Sequence, residues 1–143
     1  MKSYISAIGT ANPLNITPQS KIADFMASAL SMDGGEKQRL RALYRASGIS
    51  QRFSVLEDYG KETEDYIFYP QNKDLDPFPG IGSRMKVFKK EALPLCLEAI
   101  RDCLGKRPTF SVKDFTHIVT VSCTGMYAPG IDIEIVQKLE MNP

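Results

Sequence analysis

The sequence has few of the side chains that mark metal proteins and disulfide-rich proteins. It contains no Trp, one His and three Cys among 143 residues. A single imidazole excludes a His-rich metal centre, and an odd number of Cys without metal-type spacing excludes both a disulfide framework and a typical zinc site. We therefore expect no bound metal. Because reduced Cys residues are typical of the cytosol, we also expect a cytoplasmic protein.

Strong charge of one sign and long apolar runs are also missing. The 18 basic residues are balanced by 17 acidic ones, which leaves a net charge of +1 and no electrostatic case for nucleic acid as a partner. No apolar run approaches the roughly 20 residues of a membrane-spanning helix, and the N-terminus lacks the hydrophobic region of a signal peptide. We therefore expect neither nucleic acid nor membrane as a partner.

Hydrophobic periodicity and turn residues predict an α/β order of elements. Helices are predicted over residues 18–32, 36–46, 83–104 and 131–139, and strands over residues 4–8, 51–56 and 117–123. Pro94 should distort the third helix, and the many Gly and Pro of residues 57–82 predict a long loop. So few strands cannot form an independent sheet of useful size, which indicates a piece of a larger fold.

The most informative stretch is THIVTVSCTGMYAPGIDIEIVQKLEMNP, residues 116–143. An apolar run, read as a buried strand, is followed by the small polar residues 122–125, SCTG. Pro129 and Gly130 then precede an amphipathic helix. This order is typical of a strand that delivers small side chains to a site. The stretch stops where the next strand of such a fold would begin, so we interpret the chain as one part of a larger enzyme.

Three motifs carry a resemblance to a known family. They are ISAIGTANP at residues 5–13, SGISQRF at 47–53, and the combination of THIV, SCTG and APGID within 116–132. In this order they resemble the N-terminal part of chalcone synthase-like type III polyketide synthases, and the SCTG and APGID wording is more similar to bacterial members. The resemblance implies a thiolase-like α/β fold. Residues 1–143 would be its N-terminal portion only, rich in helices with a few core strands.

The resemblance also implies an activity for the full-length enzyme. Such acyltransferases load an acyl group from coenzyme A onto a Cys and condense it with the carbanion formed when malonyl-coenzyme A loses CO₂. The nucleophile must be a thiolate, and a His and an Asn assist it. In the family this Cys lies shortly past the position of Pro143, and the other two lie in the second half of the fold. We therefore expect no catalytic residue here, no activity of residues 1–143 alone, and coenzyme A thioesters as substrates without a bound cofactor.

Three residues near the end of the chain correspond to cavity positions of the family. Cys123 and Thr124 fall where members place small polar side chains along the acyl cavity, although a role in tight packing is an equal alternative. Cys96 and Cys103 follow helical spacing among apolar residues and are expected in a core. Ala128 falls where plant members carry a Met that reaches into the partner subunit's cavity. The last helix would then contribute to a homodimer, or be an ordinary core helix.

The helix predicted over residues 36–46 raises a question of phosphate binding. In the family this helix carries cations that hold the coenzyme A phosphates, and Arg39 matches one such position. Ala42 and Ala46 occupy the other two, so Arg45 would have to substitute from a shifted face. The alternative is a solvated helical face, which we favour for Arg41.

Two other functions stay open at this stage. One is a related thiolase-fold condensing enzyme, such as a 3-oxoacyl carrier protein synthase III or a hydroxymethylglutaryl-coenzyme A synthase. The other is a non-catalytic module that dimerises through its last helix. The sequence leaves the starter unit, the number of extensions and the cyclisation mode undetermined. It also predicts that residues 117–123 keep a bare strand edge, through which the chain would associate or cover itself with another copy.

Overall fold

The computed structural model describes residues 3–142. In chain order its elements are β1 (Asn15–Pro18), α1 (Gln19–Ala29), α2 (Gly34–Ala46), β2 (Gln51–Ser54), α3 (Ile81–Gly105) and α4 (Ile131–Leu139). Short 3₁₀ turns lie at Asp58–Gly60, Thr63–Asp65 and Val112–Asp114. The chain divides into two compact units, one of them Asn12–Gly80 and the other residues 3–11 together with 81–142.

Two helices form the framework of the unit Asn12–Gly80, and both were predicted from periodicity. The buried residues of α1 follow helical spacing and include Ile22, Phe25 and Ala29. α2 begins with a capping box, in which the Asp33 carboxylate accepts from the Glu36 N–H at 2.8 Å and the Glu36 carboxylate accepts from the Asp33 N–H at 3.0 Å. The two helices α1 and α2 pack against each other and form the helical layer of this unit.

The same unit contains a two-stranded antiparallel sheet. β2 was predicted, but β1 was missed because Thr17 and Pro18 were interpreted as the start of the following helix. The register pairs Ile16 with Phe53 and Thr17 with Arg52. The feature of the sequence that could have indicated β1 is its pair of β-branched residues, Ile16 and Thr17.

The long loop predicted over residues 57–82 is ordered by one buried carboxylate. Asp58 is 1% exposed. Its oxygens accept hydrogen bonds from the backbone N–H groups of Ile67, Phe68 and Tyr69 at 2.8–3.1 Å. Above this turn, the ring of Phe25 packs edge-on against Tyr59 with centroids 5.0 Å apart. The loop therefore has its own polar and aromatic core.

The other unit is built on the long helix α3, predicted over 83–104 and observed from Ile81 to Gly105 with Pro94 inside it. Leu97 is its most buried residue, and Cys96 and Cys103 are half-buried on the same helix, as expected for core positions. α4 packs against α3 and has the predicted bounds. The central residue of α4 in this contact is Ile135, which is 2% exposed.

Residues 4–8 were predicted as a strand, and this prediction is wrong for the described residues. The segment has no strand partner and lies against the C-terminal end of α3. Lys106 Nζ donates to the Ile8 carbonyl at 3.0 Å, and the Thr10 N–H donates to the Asp102 carboxylate at 2.9 Å. The hydrogen bonds from Lys106 and Thr10 hold the pKa of Asp102 below its usual value. A side-chain pattern can favour a strand, but a strand forms only where a second backbone supplies the ladder.

The prediction of a buried strand over residues 117–123 is also wrong for the described residues. This segment has no strand assignment, and the side chains of Val119 and Val121 are 84% and 93% exposed. Within residues 3–142 no other segment lies beside it to complete a ladder. A strand over this apolar run and its burial both require neighbouring strands, which the described residues do not provide.

We predict that the Asp58 carboxylate is a main source of stability for its unit. Replacing Asp58 by Ala leaves three backbone N–H groups without their acceptor, so the free energy of unfolding should fall by about 3 kcal/mol or more. Urea denaturation followed by tyrosine fluorescence measures this change. Asp65→Ala, an exposed neighbour in the next 3₁₀ turn, is the matched control and should change stability by less than about 0.5 kcal/mol. Equal effects of the two substitutions would contradict the assignment.

Candidate functional site

The small-residue bend, residues 122–125, is organised by one serine hydroxyl. The Ser122 hydroxyl donates to the Thr124 carbonyl and accepts from the Thr124 N–H at 3.3 Å. Such local side-chain bonds replace the backbone partners that a strand or helix would offer. They leave the side chains of Cys123 and Thr124 exposed.

Gly125 fixes the position of this bend on α3. Its φ of +88° lies in the left-handed region, where a side chain is strained. A Cβ at this residue would also overlap the ring of Phe88, a residue of α3. The sequence therefore needs glycine here for two independent reasons. Because Cys123 and Thr124 come directly before it, this contact determines where they lie.

A tyrosine joins the next residues to α4. The Tyr127 hydroxyl donates to the Glu134 carboxylate at 2.8 Å, and its ring lies 6.3 Å from that of Phe88. Lys89 Nζ lies 5.3 Å from the centre of the same ring. Burial, and then the hydrogen bond to Glu134, raises the pKa of Tyr127 to about 12, so the phenol stays protonated and donates at physiological pH.

An apolar groove of about 540 Å³ lies in this unit between α3, α4 and residues 118–122. Its lining includes Phe88, Cys96, Ile118 and Ile135, and it reaches Ser122. Burial raises the pKa of the Cys96 thiol, which disfavours a reactive thiolate there. Cys123 and Thr124 lie just past this end and are not among the lining residues. Their predicted role in an acyl cavity stays a prediction.

The remaining predicted site residues are Ala128 and two arginines of α2. Ala128 is exposed directly before α4. Arg39 and Arg45 are both exposed, but six residues apart on a helix they point roughly 120° away from each other. α2 therefore does not bring these two guanidinium groups together.

Arg45 instead lies near Arg41, one turn away on the same face of α2. Both line a small cavity of about 160 Å³ with Asp24 and Tyr44. Arg41 donates twice to the Asp24 carboxylate, at 2.6 and 2.9 Å. Arg41 was expected on a solvated helical face, and the local sequence gave no signal for its pairing with Asp24, because that partner lies on α1.

Neither a metal cluster nor a membrane span is found in the described part of the chain. Within residues 3–142, no three His, Cys, Asp or Glu side chains come together as metal ligands. No described helix combines the length and the apolarity needed to cross a bilayer.

Comparison with known proteins decides the family. A sequence model described as the N-terminal domain of chalcone and stilbene synthases matches residues 1–143. The chain belongs to this family. Its architecture is the N-terminal portion of a thiolase-like fold, as the resemblance implied, and the proteins it matches are type III polyketide synthases.

Individual relatives support the same assignment. The chain is 27% identical over 141 residues to the alpha-pyrone synthesis polyketide synthase-like Pks18 of Mycobacterium tuberculosis, covering 99% of this chain and 33% of that protein. It is 29% identical to bisdemethoxycurcumin synthase of Oryza sativa, covering 97% and 33%. The crystal structure of PKS-I from the brown alga Ectocarpus siliculosus aligns with a TM-score of 0.76 at 25% identity, covering 96% and 36%. The chain thus spans about a third of these relatives.

The three motifs now have structural roles in this chain. Gly9 of the first motif contacts the backbone of Ala99 and Cys103 on α3 so closely that a Cβ would overlap both residues. In the second motif, the Arg52 guanidinium donates to Gln19 at 2.8 Å and so ties β2 to the start of α1. The third motif forms the small-residue bend. Sequence reasoning missed the partners Phe88 and Gln19, because they belong to other elements.

We predict that Gly125 is required for the geometry of the bend. Gly125→Ala should lower the free energy of unfolding by about 2–4 kcal/mol, since it adds a strained φ and an overlap with Phe88. Thermal and urea unfolding measure the change. Gly82→Ala is the control, because a Cβ at that helical residue meets open space and should be neutral or slightly stabilising. A neutral Gly125→Ala variant would refute the close contact.

Proposed function

We propose that residues 1–143 are the N-terminal portion of a cytoplasmic acyltransferase that condenses acyl-coenzyme A with malonyl-coenzyme A. The observation that carries this proposal is the family match, which extends over every residue of the chain. The similarity to the algal polyketide synthase structure supports it. The half-buried free thiols of Cys96 and Cys103 suit a reducing compartment.

The proposed chemistry divides between this chain and the rest of the enzyme. A thiolate outside residues 1–143 attacks the acyl-coenzyme A thioester, forms an enzyme thioester and releases coenzyme A. Malonyl-coenzyme A then loses CO₂, and the resulting enolate attacks the enzyme thioester and expels the thiolate. The present chain would contribute the cavity wall at Cys123 and Thr124. By itself it would be inactive.

Coenzyme A recognition would use the cationic face of α2. Arg45 supports this role, because it borders a concave site and has no carboxylate partner among the described residues, whereas Arg41 on the same site is paired with Asp24. An unpaired guanidinium is suited to a phosphate group. Arg39 lies on a different face of the helix and would contact a different part of the ligand.

A homodimer would bring Ala128 to the cavity of the partner subunit. Ala128 is exposed, and Ile133 on the neighbouring helix α4 keeps 45% of its surface exposed. An apolar side chain on this surface suits a subunit contact. The small methyl group of Ala128 would leave room for a larger starter or product than a Met would.

The activity is tested with the protein encoded by the complete gene. We expect the reading frame to continue to a Cys at the start of a helix, and the full-length protein to release CO₂ and coenzyme A only when both thioesters are present. Radiolabelled malonyl-coenzyme A and mass spectrometry of the products measure the reaction. A requirement for acyl carrier protein would favour a 3-oxoacyl carrier protein synthase III instead. A naturally terminating, folded chain without activity would favour the dimerising module.

Charge reversal tests the phosphate-binding role of the arginines. Arg39→Glu combined with Arg45→Glu should raise the Michaelis constant of the full-length enzyme for acyl-coenzyme A by about tenfold or more, because each change replaces attraction of a phosphate by repulsion. Initial-rate kinetics measure the constant, and kcat should change much less. Arg84→Glu, an exposed charge reversal on α3, is the control. An unchanged Michaelis constant would exclude the arginine pair from coenzyme A binding.

A further inference from the structure

Glycine alone does not explain why the small-residue bend stays on α3. Gly125 allows the close contact with the ring of Phe88, because a Cβ at this residue would overlap that ring. Glycine has no side chain, however, that could attract the ring or resist a shift of the bend. The hydrogen bonds of the Ser122 hydroxyl are to Thr124, so they shape the bend without attaching it to another element. The attachment of the bend to α3 therefore depends on neighbouring residues.

Tyr127 is the attached residue among the three that follow the bend. Met126 is 96% exposed and Ala128 is also exposed, whereas Tyr127 is half-buried. The Tyr127 ring packs edge-on against Phe88, the same ring that Gly125 contacts. Two residues of this segment thus meet one aromatic side chain of α3. Of the two, Tyr127 contributes the attraction.

The hydroxyl group of Tyr127 joins the same ring to α4. It donates to the Glu134 carboxylate at 2.8 Å, and a hydrogen bond to a charged acceptor is stronger than one between neutral groups. Glu134 belongs to the first turn of α4. Burial, and then Glu134 itself, raises the pKa of Tyr127 to about 12, so the donor proton stays in place at physiological pH. The pair therefore ties the end of the bend to two helices of its own unit.

We propose that Tyr127 and Glu134 are positioning residues that hold the small-residue bend in place and thereby set the acyl length that its wall accepts. Cys123 and Thr124 would form that wall, so the effect on acyl length rests on the proposed function. The hold on the bend itself does not, because it depends on contacts between described residues. Without the hydrogen bond the bend is free to move away from Phe88, and a wall that yields accommodates a longer acyl chain.

Four variants of the full-length protein separate the hydrogen bond from packing. Tyr127→Phe removes the hydroxyl and keeps the ring, so the contacts with Phe88 and Lys89 remain. Glu134→Ala removes the acceptor, whereas Glu134→Gln offers a carbonyl oxygen to the same donor and should behave like the unaltered protein. Tyr4→Phe is the matched control, because Tyr4 is 82% exposed.

Alkylation of Cys123 measures the hold on the bend without use of the enzymatic reaction. The full-length protein is treated with N-ethylmaleimide, and peptide mass spectrometry follows each Cys separately. Tyr127→Phe and Glu134→Ala should each raise the rate at Cys123 by about threefold or more, because a released bend opens more often. The rate at Cys103 on α3 should not change. Unchanged alkylation of Cys123 in Tyr127→Phe, or equal effects of Glu134→Gln and Glu134→Ala, would overturn the proposal.

Starter selectivity measures the consequence for the reaction. Initial rates with acetyl- and lauroyl-coenzyme A, each with malonyl-coenzyme A, give kcat/KM for a short and a long starter. Tyr127→Phe and Glu134→Ala should raise the ratio of lauroyl to acetyl by about fivefold or more, while Glu134→Gln and Tyr4→Phe keep the ratio of the unaltered enzyme.

The two measurements together distinguish this proposal from the proposed function. Faster alkylation of Cys123 with an unchanged starter ratio would overturn the role in acyl length. An unaltered enzyme that is inactive with both starters would contradict the proposed function instead. The alkylation rates would then still decide whether Tyr127 and Glu134 hold the bend.

Discussion

The unit built on α3 depends on two places where the backbone of another segment contacts this helix too closely for a side chain. Gly9 lies against the backbone of Ala99 and Cys103, and Gly125 lies against the ring of Phe88. Segments without regular secondary structure thereby pack directly against α3. Because Cys123 and Thr124 directly precede Gly125, the candidate cavity wall takes its position from the second contact. The geometry of the site is thus a consequence of packing on one helix.

In the unit Asn12–Gly80, polar and aromatic groups order a long loop between β2 and α3. Its long loop cannot form a ladder, so Asp58 accepts three backbone N–H groups and satisfies them away from water. The ring of Phe25 then packs among three tyrosines, including Tyr59 and Tyr69. The Arg52 guanidinium donates a hydrogen bond to the Gln19 side chain. This bond joins β2, the strand before the loop, to α1. α2, which carries the candidate phosphate-binding arginines, packs on this framework.

The candidate site combines the small-residue bend with the apolar groove beside it. The bend presents small side chains, and the groove presents an apolar surface. The chain spans about a third of the relatives it matches.

How far the sequence could predict this structure depends on the range of the interactions involved. Periodicity located all four helices, with α4 at its observed bounds, because a helix satisfies its own backbone within a few residues. It failed for residues 4–8 and 117–123, because a strand needs a ladder from elsewhere in the chain. The family assignment and the glycine-containing bend depend on short local motifs, so the sequence by itself determined them. Only the tertiary structure decided that Arg41 pairs with Asp24, that Gly125 contacts Phe88, and that Val119 and Val121 face solvent, since each depends on groups brought together by packing.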